Sequence, residues 1–518
     1  MKTTRSASFC RAVVGAAAFA LALPAAAWAD QAPYAAPAGL PVAALPGPIA
    51  PAMKPAATMQ ALKASPDIAP VGTAFAVTTT GLPADKDVQI VWSTANVSWI
   101  LDARPDSVDY IGRKVDKFNV VIGVGKTDAS GNLSVPLKVP NDFGGLHDLS
   151  AVIDGVQVAK GGYLVPRRIS ISPKRGAIGT PITVRVDGLG SPLYDSGGAI
   201  YWDNKYLGVY TANWTRGFAE FTIRAAGPVG RHQIVSGPAI TVDYLNPQQS
   251  PQPWQEVVNL TFTVTKDAGP PKTRVDWPAA VTPTINAVTT FTPLTAAAAG
   301  AAKASLSQSY GSILSKVGLS ATGLNPGQKV DILWGNVVGN RVNCTGQCWS
   351  IVTGPLLEST SGADGSLSTA FQIPDSLGGW HAIQLVQGGQ VKAQVPYFVT
   401  RNIVQVPKRV KAGQKFTIRL KGVGWTQLDN TVAVTYDNSY VGYGCGFNSN
   451  GDVELNLVAT GGPGTHIVDL WPLLYTQNPP YLNAVYGMVP FLTFGRDAPG
   501  LVAGYKIPAM RVAITVVT

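Results

Sequence analysis

Apolar and polar residues alternate with a period of two in many short stretches of this chain. Residues 71–78 alternate in this way and end at Gly81-Leu82-Pro83, and residues 88–92 form a second apolar run. Turn residues separate such stretches at intervals of about 8 to 12 residues, which is typical of β-sandwiches. A period of two indicates strands that bury one face. The pattern therefore predicts an all-β fold.

The chain also repeats itself. Residues 139–232 align without a gap on residues 373–466. The matched pairs include Pro140 and Pro374, Gly144 and Gly378, Gly145 and Gly379, Tyr163 and Tyr397, and Asp203-Asn204 and Asp437-Asn438. The four histidines follow the same spacing, because His147 and His232 lie 85 residues apart, as do His381 and His466, and the two pairs are 234 residues apart. The sequence thus predicts two copies of a two-domain unit.

Each histidine follows a glycine turn and enters a late strand of its unit. A general base needs a nucleophile and an orienting acid beside it. The residues after the four histidines differ, being Asp148, Gln233, Ala382 and Ile467. We interpret His147, His232, His381 and His466 as structural corners, similar to the tyrosine that bonds back to the backbone in other sandwiches. Metal binding is the alternative.

The first residues have the features of an export signal. Lys2, Arg5 and Arg11 precede an apolar run over 12–23, and Ala27-Trp28-Ala29 is a small-residue cleavage site. The predicted organisation is a signal peptide at 1–29, an Ala/Pro-rich linker at 30–65 and four sandwich domains. The domains are placed at 66–167, 168–290, 313–401 and 402–518, with a second linker at 291–312 and a late strand near 285–288 closing the second domain.

The recurring order is a Gly-Thr start, a strand, a Gly-Leu pair, further strands and the Gly-x-His turn. This order resembles the bacterial immunoglobulin-like domains, including the IPT/TIG type, over most of residues 66–518. The resemblance implies four tandem Ig-like β-sandwich domains in a rod-like extracellular chain that serves as a stalk, an adhesive array or a binding module. No catalytic residues or cofactors belong to that family, and we predict no enzyme activity, cofactor or metal.

Charged residues make up only 14% of the chain, and the formal net charge is +10. Removal of the predicted signal peptide leaves +7. A thinly spread positive charge suits weak attraction to an anionic polysaccharide or a membrane surface, although a solvated surface is the more common explanation. Basic residues are not interleaved with aromatic residues, so nucleic-acid binding is not supported. The basic clusters at 167–168, 174–175, 401 and 408–409 recur at domain junctions, and we interpret them as holding one domain against the next through carboxylates. Binding of phosphate or uronate groups of an envelope polymer is the alternative.

Three cysteines remain after the signal peptide. Cys344 and Cys348 enclose a short loop that fits a disulfide in an exported chain, whereas Cys445 is either unpaired or bonded to one of them.

Aromatic residues give a further hint of binding. Trp99, Trp214, Trp254, Trp349 and Trp380 fall in or beside predicted loops, including the long loops at 93–128 and 243–256. Exposed tryptophan faces stack on sugar rings, but packing between domains is the commoner outcome.

The sequence therefore favours an exported, non-enzymatic protein with a structural or adhesive role at the cell envelope or outside the cell. The alternatives are a module that binds extracellular polysaccharide through loop aromatics and a subunit of a filament or lattice. Envelope proteins and further copies of the chain are partners of the kind that these roles require.

Overall fold

The computed structural model describes residues 34–104, 107–193, 195–237, 245–249, 257–285, 302–339, 349–475 and 487–518. Strands form nearly all of the regular structure, and short 3-10 helices lie at Pro247–Gln249, Phe447–Ser449 and Pro499–Ala503. The all-β prediction is confirmed. The described strands form eight sheets that pack in four pairs, each pair consisting of one larger and one three-stranded sheet.

Eight strands form the first sandwich, which spans residues 54–165. They are β1 (Lys54–Ala61), β2 (Lys63–Ser65), β3 (Ala74–Thr79), β4 (Asp87–Arg104), β5 (Ser107–Lys126), β6 (Leu133–Lys138), β7 (Gly145–Ile153) and β8 (Val156–Val165). The larger sheet has the order β1-β8-β7-β4-β5, and the smaller has the order β2-β3-β6. Alternate residues Phe75 and Val77 of β3 face Trp92 of β4 and Leu149 of β7 in a common core. The alternation seen in the sequence thus reflects burial of one face of each strand.

The second sandwich spans residues 168–264. Its strands are β9 (Arg168–Ser172), β10 (Arg175–Gly176), β11 (Pro181–Asp187), β12 (Gly197–Trp202), β13 (Lys205–Thr211), β14 (Ala219–Arg224), β15 (Gly230–Gly237) and β16 (Val258–Val264). They form the sheets β10-β16-β15-β12-β13 and β14-β11-β9. Ile182 and Val184 of β11 pack with Trp202 and Phe262 in the core.

One further strand, β17 (Arg274–Asp276), follows the second sandwich and pairs with the last strand of the chain. A strand near 285–288 was expected to close the second domain. No strand lies at residue 285, and residues 286–288 are outside the described residues.

The third sandwich spans residues 303–399. It contains β18 (Lys303–Leu306), β19 (Tyr310–Gly311), β20 (Lys316–Thr322), β21 (Lys329–Gly339), β22 (Trp349–Thr360), β23 (Leu367–Gln372), β24 (Gly379–Gln387) and β25 (Gln390–Val399). The sheet orders are β19-β25-β24-β21-β22 and β18-β20-β23. Because β18 and β19 begin this sandwich, the predicted linker at 291–312 is wrong for residues 303–311.

The fourth sandwich spans residues 402–517. Its strands are β26 (Asn402–Gln405), β27 (Arg409–Lys411), β28 (Lys415–Lys421), β29 (Thr431–Tyr436), β30 (Ser439–Cys445), β31 (Val453–Val458), β32 (Gly464–Trp471) and β33 (Ala509–Val517). One sheet has the order β26-β28-β31, and the other has the order β17-β33-β32-β29-β30, with β27 also paired to β33. Strand β17 thus crosses from the second sandwich to extend a sheet of the fourth.

The described segment before residue 66, where the first domain was expected to begin, is also part of the fold. Residues 34–65 were predicted to be a linker, but β1 adds in parallel to β8 and β2 pairs with β3. Further upstream, the N–H of Tyr34 donates to the carbonyl of Trp99 at 3.0 Å. Backbone hydrogen bonds to existing strands hold this Ala/Pro-rich segment, which lacks an apolar pattern of its own.

The predicted long loop at 93–128 is a β-hairpin. Strands β4 and β5 are 18 and 20 residues long and pair along their whole length, whereas β4 pairs with β7 only over Gln89–Trp92. The outer half of the hairpin therefore extends past the first sandwich. The N–H of Tyr110, in this outer half, donates to Oε1 of Gln427 in the fourth sandwich at 3.1 Å.

The contacts between sandwiches do not follow chain order. The first sandwich reaches the fourth through its hairpin, and the second sandwich contacts the fourth through β13 and the segment before β33, where Val209 pairs with Phe491. The expected rod-like row of four domains is therefore wrong. Sandwiches in a row would contact only their neighbours in sequence.

The repeated glycine pair before the first and third histidines joins each odd-numbered sandwich to the next one. The N–H of Gly144 donates to the carbonyl of Leu189 at 2.8 Å, and that of Gly378 donates to Val423 at 3.0 Å. A Cβ added at Gly144 or at Gly378 would lie 1.9 Å from a carbonyl oxygen of the neighbouring sandwich. Only glycine fits this backbone approach.

We predict that Gly144→Ala lowers the free energy of unfolding by about 1–3 kcal/mol, because the added methyl group forces two backbone segments apart. Chemical denaturation followed by tryptophan fluorescence measures this change. Gly354→Ala is the matched control, since a Cβ at that strand position meets no atom within 4 Å. Equal stability of Gly144→Ala and wild type would contradict the assigned role.

Candidate functional site

All four histidine rings hold the glycine turn that precedes them. In each, Nε2 lies 2.8–2.9 Å from the backbone carbonyl oxygen four residues earlier, which belongs to Phe143 for His147, Pro228 for His232, Leu377 for His381 and Gly462 for His466. Each ring also stacks on a buried aromatic residue, and these residues are Trp92, Trp202, Trp334 and Tyr436 in the same order. These contacts agree with a corner role.

The second ring nitrogen divides the histidines into two kinds. Nδ1 of His147 and of His381 lies 2.7–2.8 Å from a backbone carbonyl. Nδ1 of His232 and of His466 lies 2.6 Å from a carboxylate, that of Asp203 or Asp437. The Asp-Asn turn noted in the sequence thus supplies an acid as well as a turn, a role that the sequence analysis missed although the pair repeats with the histidines.

The pKa values of His381 and His466 are shifted in opposite directions. Burial lowers the pKa of His381, although hydrogen bonds to carbonyl oxygens oppose this effect. Burial also acts to lower the pKa of His466, but the hydrogen bond and the charge of Asp437 outweigh it, so that the pKa of His466 is raised. The carboxylate stabilises an imidazolium, whereas an apolar site disfavours one.

Most of the tryptophans predicted to contact ligands are buried. Trp99 is 0% exposed, Trp214 is 5% exposed and Trp380 is 7% exposed, and Trp349 is partly buried against Trp425. Their indole faces therefore have little room for a sugar, and the interpretation as ligand contacts is corrected to packing between sandwiches. Trp254 lies outside the described residues.

The indole N–H of Trp99 has a hydrogen-bond partner in its buried position. Nε1 of Trp99 donates to Oδ1 of Asp497 at 3.2 Å, and the N–H of Asn213 donates to Oδ2 of the same carboxylate at 2.6 Å. One buried carboxylate in the fourth sandwich thereby binds the hairpin of the first and a turn of the second. Burial raises the pKa of Asp497, while these hydrogen bonds oppose the rise. The long-range partner could not be read from local sequence.

A second buried polar cluster joins the second and fourth sandwiches. Asp469 forms ion pairs with Arg224 on β14 and with Arg511 on β33, and its side chain is 0% exposed. The guanidinium of Arg511 also lies 3.8 Å from the centroid of the Trp471 ring and pairs with Asp276 on the crossing strand. Two strands of different sandwiches and β17 therefore share one set of charges.

The repeated arginines at the domain junctions bind backbone rather than carboxylate groups. Arg167 donates to the carbonyls of Gly237 and Gly197 at 2.7 and 2.9 Å, and Arg401 donates to that of Thr431 at 2.9 Å. Burial lowers the pKa of Arg401 to about 10, while the charge of Asp429 opposes this effect. These contacts support the interpretation that the basic clusters hold neighbouring domains together.

The cysteines offer no described reactive arrangement. Cys445 is exposed at the end of β30, and Cys344 and Cys348 lie outside the described residues. The disulfide between the latter two stays a prediction.

A pair of exposed aromatic side chains lies elsewhere, where β17 on the sheet of the fourth sandwich meets the third sandwich. Trp277 follows β17 and is 49% exposed, and Tyr310 begins β19 and is 42% exposed. Their ring centroids are 5.8 Å apart with an angle of 62° between the planes. Strand pairing of β17 with β33 and of β19 with β25 places the two rings side by side. Local sequence does not indicate this pair, because Trp277 stands in a segment of linker-like composition.

These rings border an open cleft of about 550 Å³, which we call the aromatic cleft. Its polar lining is mostly uncharged: Thr273, Gln308, Ser312, Thr400 and Asn402, together with Arg401. No aspartate or glutamate is among the described residues that line it. Beside it, the ammonium group of Lys506 lies 5.5 Å from the centroid of the Tyr310 ring. Burial lowers the pKa of Lys506.

Other described features add little chemistry. A cleft of about 710 Å³ borders the Gly144-His147 turn and includes Asp195, whose pKa burial raises to about 6 against the opposing charge of Arg167. Among the described residues, no group of three or more His, Cys, Asp or Glu side chains is arranged to hold a metal ion. The described part of the chain contains no helix that is long and apolar enough to cross a membrane.

No family model and no curated protein sequence matches the chain. Among solved structures, a mutant of Salmonella alpha-2-macroglobulin is similar at 10% identity over 87% of this chain and 30% of its own, with a TM-score of 0.17. The chain thus spans less than a third of that protein. The ICAM-5 ectodomain fragment is similar at 11% identity over 88% of this chain and 100% of its own, with a TM-score of 0.18. The polymeric Ig receptor ectodomain of a teleost fish is similar at 12% identity over 40% of this chain and 99% of its own, with a TM-score of 0.16. At these scores the matches carry no inference about function.

We predict that Asp469→Asn destabilises the protein by roughly 3–5 kcal/mol, because Arg224 and Arg511 then lose the charge between them in a buried site. The free energy of unfolding from urea titration measures the effect. Glu454→Gln is the control, since its ion pair with Arg419 is more than half exposed on both sides and is expected to change stability little. A loss no larger than that of the control would contradict the assigned role of Asp469.

The histidine pKa directions predict opposite pH dependences. The raised pKa of His466 means that its stabilising effect is complete below about pH 6.5 and is lost as the pH rises through the folded-state pKa. The lowered pKa of His381 means that its contribution is lost as the pH falls from about 6.5 through the folded-state pKa. The stability difference between wild type and His466→Gln should therefore shrink from pH 5.5 to 8, whereas that for His381→Gln should grow. Parallel trends in thermal denaturation would contradict this distinction.

Proposed function

We propose that the protein is exported and non-enzymatic, and that it acts at the cell envelope or outside the cell as a rigid body of Ig-like sandwiches with a structural or adhesive role. Within this proposal the sandwiches belong to the bacterial Ig-like class, including the IPT/TIG type. The observation that supports it most directly is the set of buried polar contacts between sandwiches that are distant in sequence. A body held in this way presents fixed surfaces to a partner.

The use of the polar groups supports the non-enzymatic part of the proposal. Many of the buried groups that could provide acid, base or charge make a contact that holds a turn or a domain junction, and these include the four histidines, Asp469, Asp497, Arg167 and Arg401. Their hydrogen-bonding capacity is directed to backbone and to one another. These groups therefore stabilise the architecture.

The export signal supports the location. A basic start, an apolar run and a small-residue cleavage site direct a chain out of the cytoplasm.

A second candidate function, binding of extracellular polysaccharide, is supported by the aromatic cleft. Trp277 and Tyr310 are about half exposed beside uncharged polar groups, a combination that suits a saccharide. This role is compatible with adhesion, because an adhesive protein needs a surface that recognises a polymer.

We expect the native protein in the periplasm or the medium, with Asp30 as its first residue. Cell fractionation followed by amino-terminal sequencing tests this expectation. Ala27→Lys should block processing because the cleavage site requires small residues, whereas Ala43→Lys, beyond the site, should be processed normally. Recovery of the intact chain from the cytoplasm would overturn the proposed location.

A further inference from the structure

The geometry points to the aromatic cleft as a binding site for a uronate-containing polysaccharide, with Trp277 and Tyr310 stacking on sugar rings and Lys506 pairing with a carboxylate. This inference rests on the proposed extracytoplasmic function and names its ligand class. It places the ligand at the crossing of sandwiches rather than at the loop tryptophans considered first.

The aromatic pair provides surfaces on which sugar rings can stack. Sugar rings have an apolar face formed by C–H groups, and a flat indole or phenol ring provides a matching surface. Trp277 and Tyr310 are about half exposed although each has a large apolar area. Their tilted arrangement, 62° between ring planes, offers two faces in different orientations to successive sugar units of a chain.

The lining of the cleft accounts for hydroxyl recognition. Gln308, Asn402, Thr273 and Ser312 provide amide and hydroxyl groups at the wall of the cleft. Oδ1 of Asn402 is buried and has no hydrogen-bond partner within the described structure, although a buried acceptor normally has one. Amide and hydroxyl groups both donate and accept, as do sugar hydroxyl groups.

Lys506 supplies the positive charge that would bind the carboxylate of a uronate. Its ammonium group lies over Tyr310 and forms no salt bridge with any carboxylate in the described part of the chain. A half-buried cation without a carboxylate partner is stabilised by an incoming anion. Because no aspartate or glutamate is among the described residues that line the cleft, a uronate carboxylate would meet no repulsion from its wall.

An open cleft at the surface suits a polymer better than a small molecule. The cleft has room for a few sugar rings and is open to solvent. Trp277 also borders a second cleft of about 690 Å³, in which Arg274 pairs with Asp276 and Arg496 pairs with Glu220.

Isothermal titration calorimetry of the processed protein with polygalacturonate, and separately with neutral dextran, tests the inference. We expect binding to polygalacturonate that weakens with added salt, because screening reduces the attraction of Lys506 for the carboxylate. Trp277→Ala and Tyr310→Ala should each weaken this binding at least about tenfold. Trp277→Phe should retain part of the affinity, and Lys506→Gln should reduce the preference for polygalacturonate over dextran.

Tyr443→Ala is the matched control, because Tyr443 is 45% exposed on β30 of the fourth sandwich but lies away from the cleft lining. It should bind as wild type does. Equal binding by Trp277→Ala and wild type would overturn the site, as would absence of binding by wild type. A change of oligomeric state in Trp277→Ala, measured by light scattering, would instead assign the surface to contact with a second copy and would also overturn it.

These failures are distinguishable from failure of the proposed function. An exported, processed protein that binds no uronate polymer retains its structural or adhesive role and loses only this ligand. A protein that remains unprocessed in the cytoplasm loses the proposed function whatever it binds.

Discussion

The contact between the second and fourth sandwiches depends on the buried charge of Asp469. A carboxylate without water or a cation is too costly to remain ionised in an interior. Asp469 therefore requires Arg224 from one sandwich and Arg511 from its own sheet. Arg511 in turn binds Asp276 on the crossing strand. Removing the second sandwich would leave this set unbalanced, so the two sandwiches stabilise each other as one body.

The same reasoning applies to Asp497, which lies at the meeting point of three sandwiches. It receives Trp99 from the outer hairpin and the Asn213 backbone from the second sandwich. The apolar part of the interface supplies area, while the carboxylate fixes where each element docks, because hydrogen bonds are directional. The outer half of the long hairpin packs on other sandwiches rather than on its own. Polar groups that a sequence reader would first test for catalysis instead determine the arrangement of domains.

The local structure could be predicted from the sequence, because strands and turns depend on neighbouring residues. The alternation at 71–78, the Gly-Gly-x-His turns and the repeat at 234 residues each correspond to a described element. The interactions between distant segments could not be predicted. Trp99 was assigned to a loop because β4 continues past its sandwich through a sequence without a turn signal at its middle. The partner of Trp99 lies 398 residues away, and no local pattern indicates it.

The aromatic cleft shows the same limit at the site itself. Trp277 and Tyr310 belong to segments that look like linker because they are short and lie between Pro- and Ala-rich stretches. Each becomes ordered only by joining a sheet, β17 on β33 and β19 on β25, and these sheets belong to different sandwiches. A surface built in this way exists only when the third and fourth sandwiches are packed together. Recognition at the cleft and the stability of the whole body are therefore linked, since a ligand that binds the assembled cleft also stabilises the assembly.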